Sequence, residues 1–469
     1  MQIKGIMIDC SRTMEQHAYY FRLIDVMSEW GLNTLVLHFA DDHGLGIKLP
    51  GFGSVAMPHA FTTREIRKLV QHADARGIDV IPEVEVFGHT RFLTDHPDYE
   101  HLFLGRKTKR LLFCAVDPFN DETYRVMRRL IRATADLFPS TWLHLGCDEV
   151  DLAGEAQKRG LNEAEVWTDY VNHMIGVAKE AGKQPMIWGD HPAHDPAIAR
   201  LLRKDVVLID WRYRWDVRDT VLRRYRAAGF EQVMTAPSMA CYRHRFLPTR
   251  EALQNTRRMI RYAVRHDALG SINTVWCPYR YLQNAMYYGV AYTGHVMQNG
   301  GRSELAAFHR RLARVMFGTR LVKPLAAFLS GWTRMMIVHT VAEKLLERAP
   351  AYSEDELQQI RTTYELGPDL LQAAASYEPA KNEDIWQSML LAARGARVLA
   401  EHALIQAGAL KGTGVVREHK QTLKDITREL AAEWDRTRFA DGICKWKPQF
   451  GGSPNAHVLP LLRRLSRGG

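Results

Sequence analysis

Short β-branched runs alternate with helix-period segments from residue 3 to about residue 297, and this alternation constrains the fold more than any other feature of the chain. Eight such runs occur: KGIMID near residue 4, NTLVLHF near 33, DVIPEVEV near 79, WLHLG near 142, QPMIWG near 184, VVLIDW near 206, QVMTA near 232 and SINTVW near 271. Between them lie amphipathic segments such as the one whose Tyr20, Leu23, Ile24, Met27 and Trp30 share one face. Eight βα units in a stretch of this length predict a closed (β/α)8 TIM barrel. An open doubly wound sheet is the alternative, but the G-x-G-x-x-G turn that would mark a dinucleotide site does not follow the first run. Beyond residue 300 the strand signal gives way to long helical patterns, with Leu423, Ile426, Leu430 and Trp434 on one face. The expected organisation is therefore α/β: a TIM-barrel catalytic domain over 1–300 and an α-helical C-terminal domain over 301–469. Helix breaks are expected near Gly367-Pro368, Glu378-Pro379 and Gly412-Thr413-Gly414.

Composition excludes several classes. Apolar runs such as LVLHFA are far shorter than the roughly 20 residues that span a bilayer, so no membrane partner is expected. MQIKGIMIDCSR reads as a first strand and not a signal peptide, which makes the cytoplasm the expected location. Six cysteines without C-x-x-C spacing read as reduced thiols. The net charge of +10 is spread over many helical faces, as in MRRLIRATADLF, and no nucleic-acid-binding motif accompanies it, so nucleic acid is not expected as a partner. The helical tail would cap the barrel, form a homodimer interface, or both.

Residues at the carboxyl ends of barrel strands face the catalytic mouth. Here those ends read Asp9, Ser11, Arg12; His38, Asp41, Asp42, His43; Glu83, Glu85, His89; and His144, Asp148, Glu149, followed by Trp188 with Asp190, then Trp211, then Trp276 with Tyr279. Carboxylates and imidazoles among tryptophans suit a sugar, whose ring offers an apolar face for stacking and a rim of hydroxyls for hydrogen bonds. A lone strand-end tryptophan is more often core, and a lone histidine more often structural; three tryptophans at successive ends reverse that preference. A metal would also use His and Asp, but neither H-x-H nor H-E-x-x-H spacing is present. No metal and no cofactor are expected.

At this point HLGCDEV at 144–150 resembles the H-[IL]-G-[GC]-D-E signature of glycoside hydrolase family 20, the β-N-acetylhexosaminidases. DCSR at 9–12, LHFADDHG at 37–44 and PEVEVFGHT at 82–90 resemble the family's motifs on strands one to three. The Cys in G-C-D-E and the helical tail look most like the family's intracellular hexosaminidase D branch. The resemblance implies a retaining, substrate-assisted hydrolase that releases terminal β-linked N-acetylgalactosamine or N-acetylglucosamine from a small glycan or glycoconjugate, leaning toward the former. In it Glu149 is the general acid/base and Asp148 orients the 2-acetamido group. Arg12 forks onto the 3- and 4-hydroxyls. His89, backed by Asp41, tunes Glu149. Trp188, Trp211 and Trp276 wall the acetamido pocket, and Tyr242 holds the acetamido oxygen. His38, Glu85, His144 and Tyr279 complete the expected substrate-binding set. Two departures bear on specificity: Trp276-Cys277-Pro278-Tyr279 stands where W-x-E is usual, and Leu45 stands where a tryptophan is common.

Overall fold

A computed structural model describes residues 1–105, 115–152, 154–239, 244–246, 248–443 and 458–467. Eight parallel strands close into a barrel: Ile3–Asp9, Thr34–His38, Asp79–Glu83, Trp142–His144, Gln184–Trp188, Val207–Asp210, Val233–Thr235 and Gly270–Val275. Each coincides with one of the eight runs. Their near-continuous apolar character follows from burial on both faces, since side chains inside the barrel pack on one another and those outside pack on helices.

The register matters for function. Asp9 pairs with His38, His38 with Glu83 and Glu83 with His144, so four neighbouring strands end in one polar row. Because side chains alternate along a strand and parallel partners share a face, a row set by register puts these groups on one side of the sheet.

The surrounding helices are held by their own local chemistry. Thr62 and Glu65 form a capping box at the start of Thr63–Asp74, while Asn120 and Asn162 cap Asp121–Leu137 and Glu163–Glu180. In Ala18–Glu29, Tyr20, Leu23, Ile24 and Met27 are buried, as is Trp30 just past its end, which fulfils the periodicity of that segment.

The chain divides into two compact units. One comprises 1–238, 258–274 and 441–451; the other comprises 239–257, 275–440 and 452–469. The second unit thus begins earlier than the expected boundary at 300 and takes in an excursion from the barrel. It is mainly helical, with long helices at Glu354–Ala375, Glu383–Gln406 and Thr413–Thr437. Leu423, Ile426, Leu430 and Trp434 are all buried within it.

The expected break at Gly367-Pro368 does not occur, because Glu354–Ala375 runs through both residues. A Cβ at Gly367 would collide with the side chain of Arg397 on the next helix, so the glycine serves close helix packing, and that packing overrides the helix-breaking tendency of the proline. The breaks near Pro379 and Gly412 fall where helices do end. Among the described residues no helix is long and apolar enough to cross a membrane.

Candidate active site

At the strand ends, charge is set by competition between burial and neighbouring ions. His38 Nδ1 lies 3.1 Å from Glu83 Oε2, and its Nε2 lies 3.3 Å from Asp41 Oδ2. Burial alone would neutralise it, but Glu83 and Asp41 outweigh burial and hold its pKa at about 10. His144 lies 3.8 Å from the other Glu83 oxygen, and there burial wins: its pKa falls to about 4. Its Nδ1 accepts the Gly146 N–H at 3.0 Å, as a neutral imidazole can. Arg12 bridges two buried carboxylates, with Nη1 2.9 Å from Asp9 and Nη2 2.7 Å from Asp41. Burial pushes both carboxyls up, yet Arg12 and His38 leave both below the usual range.

The turn after the fourth strand presents the two expected catalytic carboxyls. Cys147 and Glu149 adopt left-handed backbone, with φ of 71° and 50°, which is costly for non-glycine residues and is kept only where the surroundings enforce it. Three hydrogen bonds enforce it here. Cys147 N–H donates to Glu85 Oε2 at 3.1 Å, Glu149 N–H to Asp190 Oδ2 at 2.9 Å, and Val150 N–H to His191 Nε2 at 3.0 Å. Glycine is required on both sides of this contact: a Cβ at Gly146 would strike the Glu85 carboxylate, and one at Gly88 would strike the Asp148 carbonyl.

The result is an unequal pair. Asp148 is buried, whereas the Glu149 side chain is 34% exposed. His89 lies against both, with Nε2 3.3 Å from Glu149 Oε2 and 3.8 Å from Asp148 Oδ2. Burial favours neutral His89, but Asp148, Asp42 and Glu149 raise its pKa well above the ordinary value, so it is a fixed cation. Burial lifts Asp148 to about 7, with Asp190 and Glu149 adding to the rise and His89 opposing it. Glu85, beneath it, is raised well above the usual range by burial and by Asp148, and stays protonated.

The expected site residues fall into groups. Arg12, Asp41, His89, Asp148 and Glu149 come together at one end of the barrel. His38, Glu85 and His144 are buried among the other ionic groups, where they act on neighbouring side chains. Trp188 is 1% exposed and donates from Nε1 to Glu83 Oε1 at 2.7 Å, which makes it part of the barrel interior. Trp211 is half-buried, with Nε1 3.4 Å from Asp190 Oδ1. Trp276 and Tyr279 belong to the second unit, the first half-buried and the second buried. Tyr242 lies outside the described residues.

His89 Nδ1 reaches its expected partner Asp41 and also the neighbouring Asp42. That nitrogen is closer to Asp42, at 3.2 Å, than to Asp41, at 3.7 Å, because Asp41 is occupied by Arg12, His38 and His43. Asp42, Glu83 and Asp190 were visible as polar strand ends, but nothing in their spacing separated them from their neighbours. Among the described residues, three groups, His38/Glu83/Glu85, Asp41/Asp42/His89 and His89/Asp148/Glu149, bring potential metal ligands within reach of one another. Without a metal the carboxylates around His38 and His89 favour their protonated forms, so a metal ion would have to displace a proton from each to be held there.

The catalytic domain of glycosyl hydrolase family 20 matches residues 2–277. The chain is 25% identical over 262 residues to the beta-hexosaminidase subunit beta of Mus musculus, covering 50% of this chain and 46% of that protein. It is 28% identical over 274 residues to a beta-hexosaminidase of Akkermansia muciniphila, covering 51% and 53%. The chain thus spans about half the length of the curated relatives it matches. Among solved structures, a GH20 exo-β-N-acetylglucosaminidase from Vibrio harveyi in complex with N-acetylglucosamine superposes with a TM-score of 0.54 at 20% identity, over 71% of this chain and 58% of that one. At that identity the likeness is one of fold.

Proposed function

Since the chain belongs to glycosyl hydrolase family 20, we propose that it is a retaining exo-β-N-acetylhexosaminidase that cleaves a terminal β-linked N-acetylhexosamine by substrate-assisted catalysis. The observation that carries this reading is the unequal carboxyl pair: Asp148 buried and titrating near 7, Glu149 at the mouth, and the His89 cation against both.

Each group has a task. Asp148 as a carboxylate accepts the N–H of the 2-acetamido group and turns its carbonyl oxygen toward C1. That oxygen bonds to C1 as the glycosidic C1–O bond breaks, and Glu149 gives its proton to the departing oxygen. The carboxylate left on Glu149 faces the His89 N–H. The bicyclic oxazolinium carries positive charge next to Asp148, whose burial strengthens the interaction that stabilises it. Glu149 then takes a proton from water, the water oxygen attacks C1, and the acetamido group is restored. Two displacements at C1 retain the anomeric configuration.

Adjacent carboxyls suit this route better than a protein nucleophile, since carboxyls that share a peptide bond do not flank a sugar in the way that a pair of separated groups does. The finer parts of the reading, a leaning toward N-acetylgalactosamine and action in the cytoplasm, rest on the resemblance to the intracellular branch. A metal-assisted hydrolase is the second reading, and the three His/carboxylate groups favour it.

Initial rates on 4-nitrophenyl β-glycosides of N-acetylgalactosamine, N-acetylglucosamine and their counterparts lacking the acetamido group, each with and without chelator, test both. The proposal expects chelator-resistant hydrolysis of the acetamido sugars alone. Loss of activity with chelator and recovery on adding metal would establish the second reading instead.

A further inference from the structure

Residues 188–191, at the end of the fifth barrel strand, grip the turn that carries the two catalytic carboxyls at three points. Trp188 N–H donates to the Gly146 carbonyl at 3.0 Å and continues the strand pairing. Asp190 Oδ2 accepts the Glu149 N–H at 2.9 Å, and His191 Nε2 accepts the Val150 N–H at 3.0 Å. The last two bonds are made by side chains, so a substitution can remove either while the barrel pairing stays.

The point from which Asp190 leaves the strand is itself fixed. Gly189 N–H donates to the Ile209 carbonyl at 3.0 Å, and Gly189 O accepts the buried Tyr225 hydroxyl at 2.6 Å. A Cβ at Gly189 would strike that hydroxyl, so the close approach requires glycine. The Asp190 side chain is 12% exposed and both of its oxygens are engaged, since Oδ1 lies 3.4 Å from Trp211 Nε1 at the end of the sixth strand. The His191 ring lies 4.9 Å from that of Trp167. A carboxylate held from several sides in this way is suited to fixing the place of another group.

What Asp190 fixes is the backbone of the acid. Glu149 has φ of 50°, a conformation that a residue with a side chain keeps only under constraint. Its carboxyl is 34% exposed, and its aim follows from where the backbone points. Asp148 is placed differently: it is buried, with Glu85 hydrogen-bonded to it and His89 3.8 Å away. Loss of the Asp190 bond therefore acts on proton donation by Glu149 more than on the hold that Asp148 has on the acetamido group.

We propose that Asp190 is a positioning residue for the general acid, holding Glu149 in left-handed backbone so that its carboxyl is aimed at the departing oxygen. This rests on the reading of the protein as a retaining exo-β-N-acetylhexosaminidase and adds to it the residue that sets the acid's aim. Asp190 acts through the Glu149 N–H and exchanges no proton with the substrate.

The test uses leaving groups that differ in their need for a proton. The rate constant kcat/KM, which reports the first displacement, is compared for the 2,4-dinitrophenyl, 4-nitrophenyl and phenyl β-glycosides of whichever N-acetylhexosamine the protein cleaves faster. Dinitrophenol departs as an anion unaided, whereas phenol departs far more readily when protonated. Asp190→Ala should lose about 10- to 100-fold on the phenyl glycoside, the scale of a displaced acid, and about threefold or less on the dinitrophenyl one. Asp190→Asn keeps an oxygen that can accept the Glu149 N–H and should recover most of the phenyl glycoside rate. Asp190→Glu keeps the charge but moves the acceptor by a methylene, and it should show the same selective loss if the alanine variant does not fold. A residue that merely supports the fold would lower all three rates alike.

Equal losses on the three glycosides in Asp190→Ala or Asp190→Glu, or no recovery in Asp190→Asn, would overturn the proposal. Failure of the wild type to hydrolyse any of them would instead strike the exo-glycosidase reading. In that event the crystal structure of Asp190→Ala reads the hold directly: Glu149 leaving the left-handed region sustains it, and Glu149 unmoved removes it.

Discussion

His38 at the barrel mouth and His402 in the helical unit are both largely buried, yet the first is charged and the second neutral. His38 has two carboxylates within 3.3 Å and a pKa of about 10. His402 has another histidine, His419, 3.0 Å away and a pKa of about 4. His309, in the same helical unit, also falls to about 4 through burial, and its Nε2 meets the Tyr288 hydroxyl at 2.9 Å. Burial makes the neutral form the default, and only a surplus of nearby carboxylates reverses it. His144 shows the threshold inside the barrel itself: it shares Glu83 with His38 and stays neutral. His309 and His402 in the helical unit are neutral packing groups, whereas carboxylates at the barrel mouth hold His38 and His89 as ions. Ions kept in a low-dielectric interior are costly, which is why their concentration at the strand ends marks the working region.

The largest test of this contrast removes the catalytic carboxyls. Glu149→Gln and Asp148→Asn should each lower kcat by about 10²- to 10⁴-fold while the protein stays folded by circular dichroism, the scale of a lost acid/base or charge-stabilising group. Wild-type rates in either variant would remove that residue from the mechanism.

Next in size, Arg12→Ala leaves Asp9 and Asp41 buried without their shared cation and should cost about 3–5 kcal/mol in urea unfolding. The exposed Arg394–Glu429 pair of the helical unit provides the comparison, and Arg394→Ala should cost about 1 kcal/mol or less. Similar costs at the two sites would erase the distinction between the regions.

The pH profile comes third. Asp148 is protonated below about 7 and then lacks the negative charge that holds the acetamido N–H firmly and stabilises the oxazolinium, so kcat/KM should fall about tenfold per pH unit below that point. The same shift bears on stability, with its sign opposite to that of a salt-bridged carboxylate. A carboxyl whose pKa rises on folding contributes stability that is complete below its unfolded value of 3.8 and is lost as pH climbs through about 7. Asp148→Asn should therefore be more stable than wild type at pH 8, and the gap should close toward pH 4. A gap that widens in acid would mean that the carboxyl is not raised.

The smallest effect is expected in the helical unit. His402→Asn should change stability by about 1 kcal/mol at pH 8 and flatten the pH dependence below about 6.5, because a histidine held near 4 in the fold but titrating at 6.5 when unfolded costs the wild type stability as pH falls through that window. Parallel pH profiles for the two proteins between 5 and 6.5 would show that the fold does not hold His402 neutral.

How much of this the sequence discloses depends on the range of the interactions. Eight strands are readable because each is a local apolar run, and Asp148 and Glu149 stand out because a short motif holds them in one turn. The choice between Asp41 and Asp42 as the partner of His89 was not readable, since it is decided by Arg12 and His43 competing for Asp41 across separate elements. Trp188 looks like its neighbours at the strand ends, and only the three-dimensional fold turns its indole inward to Glu83. The helix through Gly367 and Pro368 is hidden for the same reason: its cause is Arg397, thirty residues further along the chain.

The most direct test of the central claim is the binding of a 1,2-fused thiazoline, a stable analogue of the bicyclic intermediate, to wild type and Asp148→Asn by calorimetry. Asp148 as the stabilising carboxylate predicts binding that weakens by about 100-fold or more in the variant, the scale of a charged contact made to the intermediate. Equal affinity in the two proteins would contradict it and return the first displacement to a group of the protein.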